Sequence, residues 1–202
     1  NLHARQSATF ALGLQPLSPT SAHGSEQAMN KKKVLVAMSG GVDSSVAAAL
    51  LIEQGYDVQG VMMRLWAESL PGKQAENTCC SLSAVSDAQR VAKLLGIQLQ
   101  FIDMGPTFKR WVVQPFIAAY AAGLTPNPCL ACNRRVRLGA LLPYALAQGA
   151  DYLATGHYCR VGRDQQGRYI LLRGIDAKKD QSYVLHMAGQ AQLAHLSFPV
   201  GA

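Results

Sequence analysis

The sequence is short of acidic residues. Asp and Glu number 12 against 19 Lys and Arg over 202 residues, a net charge of +7. That imbalance points toward a polyanionic partner. No run of about 18 apolar residues is present, so no membrane span or membrane partner is expected. No convincing secretory signal precedes the cysteines. There are five of them, an odd number, which speaks against a disulfide framework. Internal repeats are absent too. Apolar residues reach 49%, enough for the full core of one domain.

The chain is organised around Val34-Leu35-Val36-Ala37-Met38-Ser39-Gly40-Gly41-Val42-Asp43-Ser44-Ser45. The apolar start reads as a buried parallel strand. Ser39-Gly40-Gly41 turns sharply, and Ser44 to Gln54 reads as a helix. Glycines let backbone approach an anion, and free N–H groups at a helix start hold negative charge. Ser39, Ser44 and Ser45 add hydroxyl donors. No Gly-Lys-Ser/Thr follows, so this is not a Walker loop. Ser-Gly-Gly-x-Asp-Ser resembles the PP-loop of ATP pyrophosphatases, which cleave ATP between the α- and β-phosphates and transfer AMP to a substrate oxygen.

Residues 1–28 lack periodicity and are expected to be a disordered or non-native leader before Met29. Residues 29–202 are expected to form the nucleotide-binding catalytic domain. After the first helix, stopped by Gly55, a second strand is expected over Val58 to Leu65. A polar loop covers Leu70 to Thr78, and a helix runs from Ser83 to Leu95. Ile97 to Ile102 is a third strand, ending at Asp103. This β-α-β-α-β order predicts an α/β fold, an open and mainly parallel sheet with helices on both faces. Ligands then sit at the carboxyl ends of the strands, near Ser39, Trp66 and Asp103. Thr107 to Ala122 is expected to be a helix kinked or broken near Pro115, and Gly123 to Cys132 a loop. Asn133 to Gln148 is a helix, basic at its start. Asp151 to Thr155 is a strand. Tyr158 to Val161 and Arg168 to Arg173 form a hairpin.

Thr125-Pro126-Asn127-Pro128-Cys129-Leu130-Ala131-Cys132-Asn133 is the second constellation. Cys132 is placed at a helix N-terminus beside Arg134 and Arg135, where a thiolate is favoured, and is a nucleophile candidate. Alone, the C-x-x-C of Cys129 and Cys132 reads equally as a redox dithiol, half a zinc site, part of an iron–sulfur site or an incidental pair. Zinc would need a second pair, and Cys79-Cys80 is adjacent rather than spaced.

The PP-loop, Asn-Pro-Cys-x-x-Cys-Asn, Ala-Thr-Gly-His-Tyr and Lys-Asp-Gln-Ser-Tyr, in this order, resemble the tRNA-specific 2-thiouridylases, from about Lys33 to Val200. The resemblance implies the adenine nucleotide α-hydrolase-like (PP-loop) fold. It implies ATP-dependent 2-thiolation of the wobble uridine (position 34) of tRNA, with ATP and Mg²⁺ as cofactors. A sulfur-donor protein is the implied partner besides tRNA, and the cytoplasm the implied location. Ala37, Met38, Ser39, Gly40, Gly41, Val42, Asp43 and Ser44 would hold ATP, with Met63 at the adenine and Gly156 beside the nucleotide. Asn127, Pro128 and Cys129 would contact the target base. Cys132 and Asp43 are the candidate catalytic residues. Lys179, Asp180 and Gln181 match a tRNA-contacting element.

Many family members carry Asp at the position of Cys129. Members with C-x-x-C here include some reported to bind an iron–sulfur cluster, so Cys129 and Cys132 are also candidate [4Fe–4S] ligands. The family continues past Phe198-Pro199-Val200-Gly201 into a second catalytic cysteine and β-rich domains, and the chain is expected to be cut before them. Rival readings are another AMP-forming PP-loop ligase or amidotransferase on a small substrate, or a non-catalytic ATP-binding module. Arg134, Arg135, Arg137, Arg160, Arg163, Lys178 and Lys179 read better as RNA-backbone contacts than as a solvated face. His157 is balanced between a structural role and one near the phosphates, and Asp103 between a cap and a ligand. His186 and His195 read as surface or packing groups, Trp66 and Trp111 as core, and Cys79, Cys80 and Cys159 as small buried residues.

Overall fold

The computed structural model describes residues 31–65 and 82–202. The expectations for the 1–28 leader, Met29, Trp66, the Leu70–Thr78 loop and Cys79-Cys80 lie outside the described residues.

The chain gives β1 (Lys33–Ala37), α1 (Val42–Glu53), β2 (Asp57–Arg64), α2 (Leu82–Leu95) and β3 (Leu99–Asp103) in turn. These follow the sequence reading within one or two residues, the usual scatter of element ends. Five strands pair in the order β3-β2-β1-β4-β7, where β4 is Tyr152–Ala154 and β7 is Leu196–Ser197. Every pairing in that sheet is parallel. Val34 lies opposite Val58 on one side and Tyr152 on the other. The strand order reverses at β1, so the carboxyl ends of β1 and β4 flank the crevice where such sheets take ligands.

Alternation along β1 divides the core. Val34 and Val36 face a cluster with Ala48 and Leu51 of α1, joined by Val91 and Leu95 of α2. Leu35 faces the opposite, larger cluster with Val136, Leu141, Ala145 and Leu153. Helices therefore cover both faces, as a parallel sheet requires. Gly60 on β2 is held by crowding, because a Cβ there would come within 2.7 Å of the Met38 sulfur.

The expected helix over Thr107 to Ala122 is not broken at Pro115. It runs through α3 (Gly105–Phe108), a π-helical stretch (Lys109–Val113) and α4 (Gln114–Ala121). The widened turn comes just before Pro115, where the missing N–H and the ring of proline disturb the ordinary i to i+4 ladder. The expected loop to Cys132 also ends early. Asn127 caps α5 (Pro128–Ala131), which passes directly into a second π stretch (Cys132–Leu141) and α6 (Leu142–Ala147). The hairpin β5 (Cys159–Arg163) with β6 (Tyr169–Arg173) is antiparallel, as expected. Near the end, the short helix α7 (Gln190–Leu193) leads into β7. No helix among the described residues is long and apolar enough to cross a membrane.

Candidate nucleotide and thiol site

The loop between β1 and α1 is tied together by its own serines. Ser44 donates its hydroxyl to the Gly41 carbonyl at 3.0 Å, and the Ser39 amide donates to Ser44 Oγ at 3.2 Å. Ser45 Oγ donates to the same Gly41 carbonyl at 2.9 Å. Gly40 adopts a left-handed φ of 78°, which a side chain resists. A Cβ there would also lie 2.3 Å from the Ala84 carbonyl oxygen. No side chain caps α1. The loop thus presents backbone N–H groups at a helix N-terminus, a ready anion cradle.

A cleft of about 400 Å³ opens over this loop, lined by Met38, Ser39, Gly40, Gly41, Met63, Leu65, Ser83, Ala84, Asp87 and Arg137. Met63 reaches it from the end of β2. Ala37 closes β1 below the loop, half-buried, and Ser44 is buried behind it. Gly156 follows β4 and backs the loop from the other side. A Cβ on it would lie 2.8 Å from both Asp43 C and Ser44 N.

Asp43 faces a second cavity of about 470 Å³, shared with Tyr158, Lys178, Lys179, Asp180, Gln181 and Tyr183. Tyr158 donates its hydroxyl to Asp43 Oδ1 at 2.9 Å, and Lys179 Nζ lies 3.5 Å from that hydroxyl. Lys179 also stands 4.9 Å over the Tyr158 ring. Gln181 accepts from the Tyr158 amide at 3.0 Å. Asp180 turns onto its own loop, accepting from the Gly174 amide and from Ser182. The Gly174 N–H, with those Ser182 bonds, holds its carboxyl below the usual carboxylate range despite partial desolvation. Lys-Asp-Gln therefore lies beside the anion loop, with Lys179 outward and Asp180 inward.

The two cysteines of the C-x-x-C differ sharply. Asn127 Oδ1 accepts from the amides of Cys129 at 3.0 Å and Leu130 at 3.4 Å, an Asn cap of the preferred kind. Cys129 thus occupies the first turn of the helix and is exposed. Cys132 lies a turn further in and is 7% exposed. The expectation that Cys132 stands at the helix N-terminus is corrected, because the helix starts at Pro128. What faces its sulfur is a cation: Arg137 Nη1 donates to Sγ at 3.4 Å and to Asn133 Oδ1 at 3.0 Å. Asn133, 1% exposed, donates from Nδ2 to the Val184 carbonyl at 3.0 Å. Arg137 also lines the cleft, so one side chain borders both the thiol and the space over the anion loop.

Sequence reading placed Arg137 in a basic cluster and gave it no partner, and gave Tyr158 no role. A residue five positions after Cys132 falls off its face on an ordinary α-helix with 3.6 residues per turn. In a π stretch, bonded i to i+5, it lies alongside. The available signal was Gly-His-Tyr beside a Lys-Asp-Gln element, which pairs in space.

His157 is anchored by its neighbours. Its Nδ1 is 2.7 Å from Thr155 Oγ1 and its ring meets Phe198 edge-on. Burial, with the nearby Arg137 charge, pushes its pKa down to about 4. Cys159 is fully buried, as expected, and burial with the Asp180 charge pushes its thiol up to about 12. Asp103 caps, accepting from the Gly105 amide at 2.8 Å. His186 and His195 bond backbone carbonyls at the surface. Trp111 is not core. It is 38% exposed, with the Arg135 and Arg110 guanidinium carbons 4.6 and 5.0 Å from the ring centre.

Among the described residues, no group of three His, Cys, Asp or Glu side chains is arranged to hold a metal ion. Cys129 and Cys132 supply two thiols of such a set, one exposed and one buried.

A family model described as "tRNA methyl transferase HUP domain" matches residues 32–202. The curated tRNA-specific 2-thiouridylase of Moorella thermoacetica is 56% identical over 168 residues, 83% of this chain and 47% of its own length. That of Chloroflexus aggregans is 55% identical over 168 residues, 83% and 46% of the two chains. The chain spans about half the length of the curated relatives it matches. A solved predicted subunit of tRNA methyltransferase from Methanocaldococcus jannaschii has 16% identity and a TM-score of 0.45, covering 84% of this chain and 68% of its own. The resemblance read from the motifs is thus met by close relatives bearing the expected name, and the chain belongs to the tRNA methyl transferase HUP domain family.

Proposed function

We propose that this chain carries the nucleotide-binding and sulfur-handling part of a tRNA-uridine 2-sulfurtransferase, acting on the wobble uridine at the expense of ATP. The observation that carries it is Arg137, which touches the Cys132 sulfur and lines the cleft over the anion loop.

Uracil C2 bears an amide-like oxygen, a poor leaving group. The ATP phosphates lie along the loop from Ala37 to Ser44, with Met63 beside the adenine and Gly156 behind. The C2 oxygen attacks the α-phosphorus, the α–β bridge breaks, and pyrophosphate leaves. Backbone N–H groups of the loop and the helix dipole offset the developing charge. Asp43, whose Oδ2 is not engaged by Tyr158, would hold Mg²⁺ against the phosphates, and the ion would supply charge neutralisation there. A sulfur nucleophile then adds at C2 and expels AMP. If the sulfur arrives as a persulfide, the Cys132 thiolate attacks the donor's inner sulfur. That forms a Cys132–donor disulfide and leaves the outer sulfur on C2. Arg137 stabilises the Cys132 thiolate by charge.

Asn127 and Pro128 fix the turn that places Cys129 at the surface, where the target base enters. A base in an anticodon stack must leave it to reach such a site. Lys179 and Gln181 meet the RNA beside the loop. A sulfur-carrying protein in the cytoplasm supplies the sulfur.

Pyrophosphate release from ATP, with and without unmodified tRNA, tests the reading. tRNA-dependent release is expected. Release driven by a small carboxylate or amide in place of RNA contradicts it, and so does none at all.

A further inference from the structure

No Asp or Glu lies between Asp103 and Asp151, yet five basic residues do: Lys109, Arg110, Arg134, Arg135 and Arg137. Arg137 is engaged at Cys132. Arg110, Arg134 and Arg135 have no carboxylate within ion-pair distance among the described residues. Arg134 and Arg135 line a cavity of about 430 Å³ with Trp111, Asn127, Leu130 and His186 among others, and Arg110 adjoins it through the Trp111 ring. Asn127 belongs both to this cavity and to the cap that carries Cys129, so the cavity opens beside the proposed entry point of the base.

Trp111 is the unexpected part. A large aromatic left 38% exposed sacrifices burial that would otherwise stabilise the fold. Here its ring lies within 5.0 Å of two guanidinium carbons that come from different elements. Arg110 is its neighbour on the π stretch Lys109–Val113, and Arg135 belongs to the π stretch Cys132–Leu141. Cation–π contact restrains both heads without using up their N–H donors. Two restrained, uncompensated guanidiniums beside a third make a site for phosphate oxygens.

We propose that Arg110, Arg134 and Arg135, held by Trp111 as an aromatic post, form a clamp for the phosphate backbone of the nucleotides next to the target base. Trp111 is a positioning residue that does not itself read a base. The clamp rests on the RNA-substrate reading above and gives it a specific set of contacts. It holds the strand on the Cys129 side while Lys179 holds it on the Asp43 side.

The test is the affinity of the 202-residue chain for a synthetic unmodified anticodon stem-loop RNA, measured across a KCl series. Each phosphate contact contributes about 0.7 to 0.9 to the slope of log K against log salt. Arg135→Gln and Arg110→Gln should each flatten that slope by about one contact and weaken binding about fivefold at low salt. Trp111→Leu should do the same or more, whereas Trp111→Phe, which keeps a ring face, should retain the slope. ATP affinity should be unchanged in all four. If Trp111→Leu fails to fold, the two arginine variants decide. A wild-type chain that binds the RNA with a slope unaltered in Arg110→Gln and Arg135→Gln overturns the clamp alone. Flattening in Trp111→Phe equal to that in Trp111→Leu overturns the post. A wild-type chain with no measurable affinity for the RNA overturns the clamp together with the RNA-substrate reading.

Discussion

Arg137 Nη1 stands 3.4 Å from the sulfur of Cys132 and 3.0 Å from Asn133 Oδ1. The pairing depends on the helix being wound i to i+5 at that point. It places a permanent positive charge between a buried thiol and the cleft over Gly40 and Gly41.

Removing that charge should slow the thiol and the nucleotide chemistry together. Hydrogen bonds to charged groups contribute about 1.5–3 kcal/mol, so Arg137→Gln should lower RNA thiolation about tenfold or more. Arg137→Lys, which keeps charge but not the fork, should recover part of it. Single-turnover thiolation measures this. Equal rates in wild type and Arg137→Gln would remove Arg137 from the chemistry.

Alkylation should rank the cysteines. Cys129 is exposed, while Cys159 is fully buried with its thiol pushed up to about 12. Brief iodoacetamide treatment of the native chain, read by peptide mass spectrometry, should label Cys129 and spare Cys159 until denaturant is added. Early labelling of Cys159 would contradict its burial in the native fold.

His157 should make stability acid-sensitive. Its folded pKa of about 4 lies below the unfolded value of 6.5. The unfolded chain therefore takes up a proton first as pH falls. Stability from this group is complete above pH 6.5, declines between 6.5 and 4, and changes no further below that. The full effect is about 3 kcal/mol. Urea midpoints from pH 7.5 to 4.5 should fall more steeply in wild type than in His157→Gln, and parallel profiles would contradict the assignment.

Gly156 should accept no side chain without moving the loop. A Cβ would press on the backbone of Asp43 and Ser44 at 2.8 Å. Gly156→Ala should weaken ATP binding about tenfold or more, by forcing that backbone apart, with a smaller loss in melting temperature. Calorimetric ATP titration beside a thermal melt separates the two effects.

Much of this was legible in the residues. Val34 to Ala37 is a continuous apolar run that can only be buried on both faces, and the glycines after it need a turn. The layered β-α-β order follows from that. Two-residue β7 carries no periodic signal at all, and pairs only because β4 offers an edge beside it. The start of α5 was hidden by Pro126 and Pro128, which look like loop residues. Pro128 in fact fits the first helical turn, with Asn127 as its cap. π winding leaves no mark in a pattern read at 3.6 residues per turn. The Arg137–Cys132 contact and the exposure of Trp111 both sit on such stretches, and both were missed for that reason.

The most direct test supplies the chain with ATP, a sulfur donor and unmodified tRNA, and digests the RNA for nucleoside mass spectrometry alongside a pyrophosphate assay. Wild type is expected to yield 2-thiouridine at the wobble position with RNA-dependent pyrophosphate release. Cys132→Ala is expected to keep the pyrophosphate and lose the thiolated base. Undiminished thiolation in Cys132→Ala, or pyrophosphate release indifferent to RNA, would contradict the shared site of Arg137, Cys132 and the anion loop.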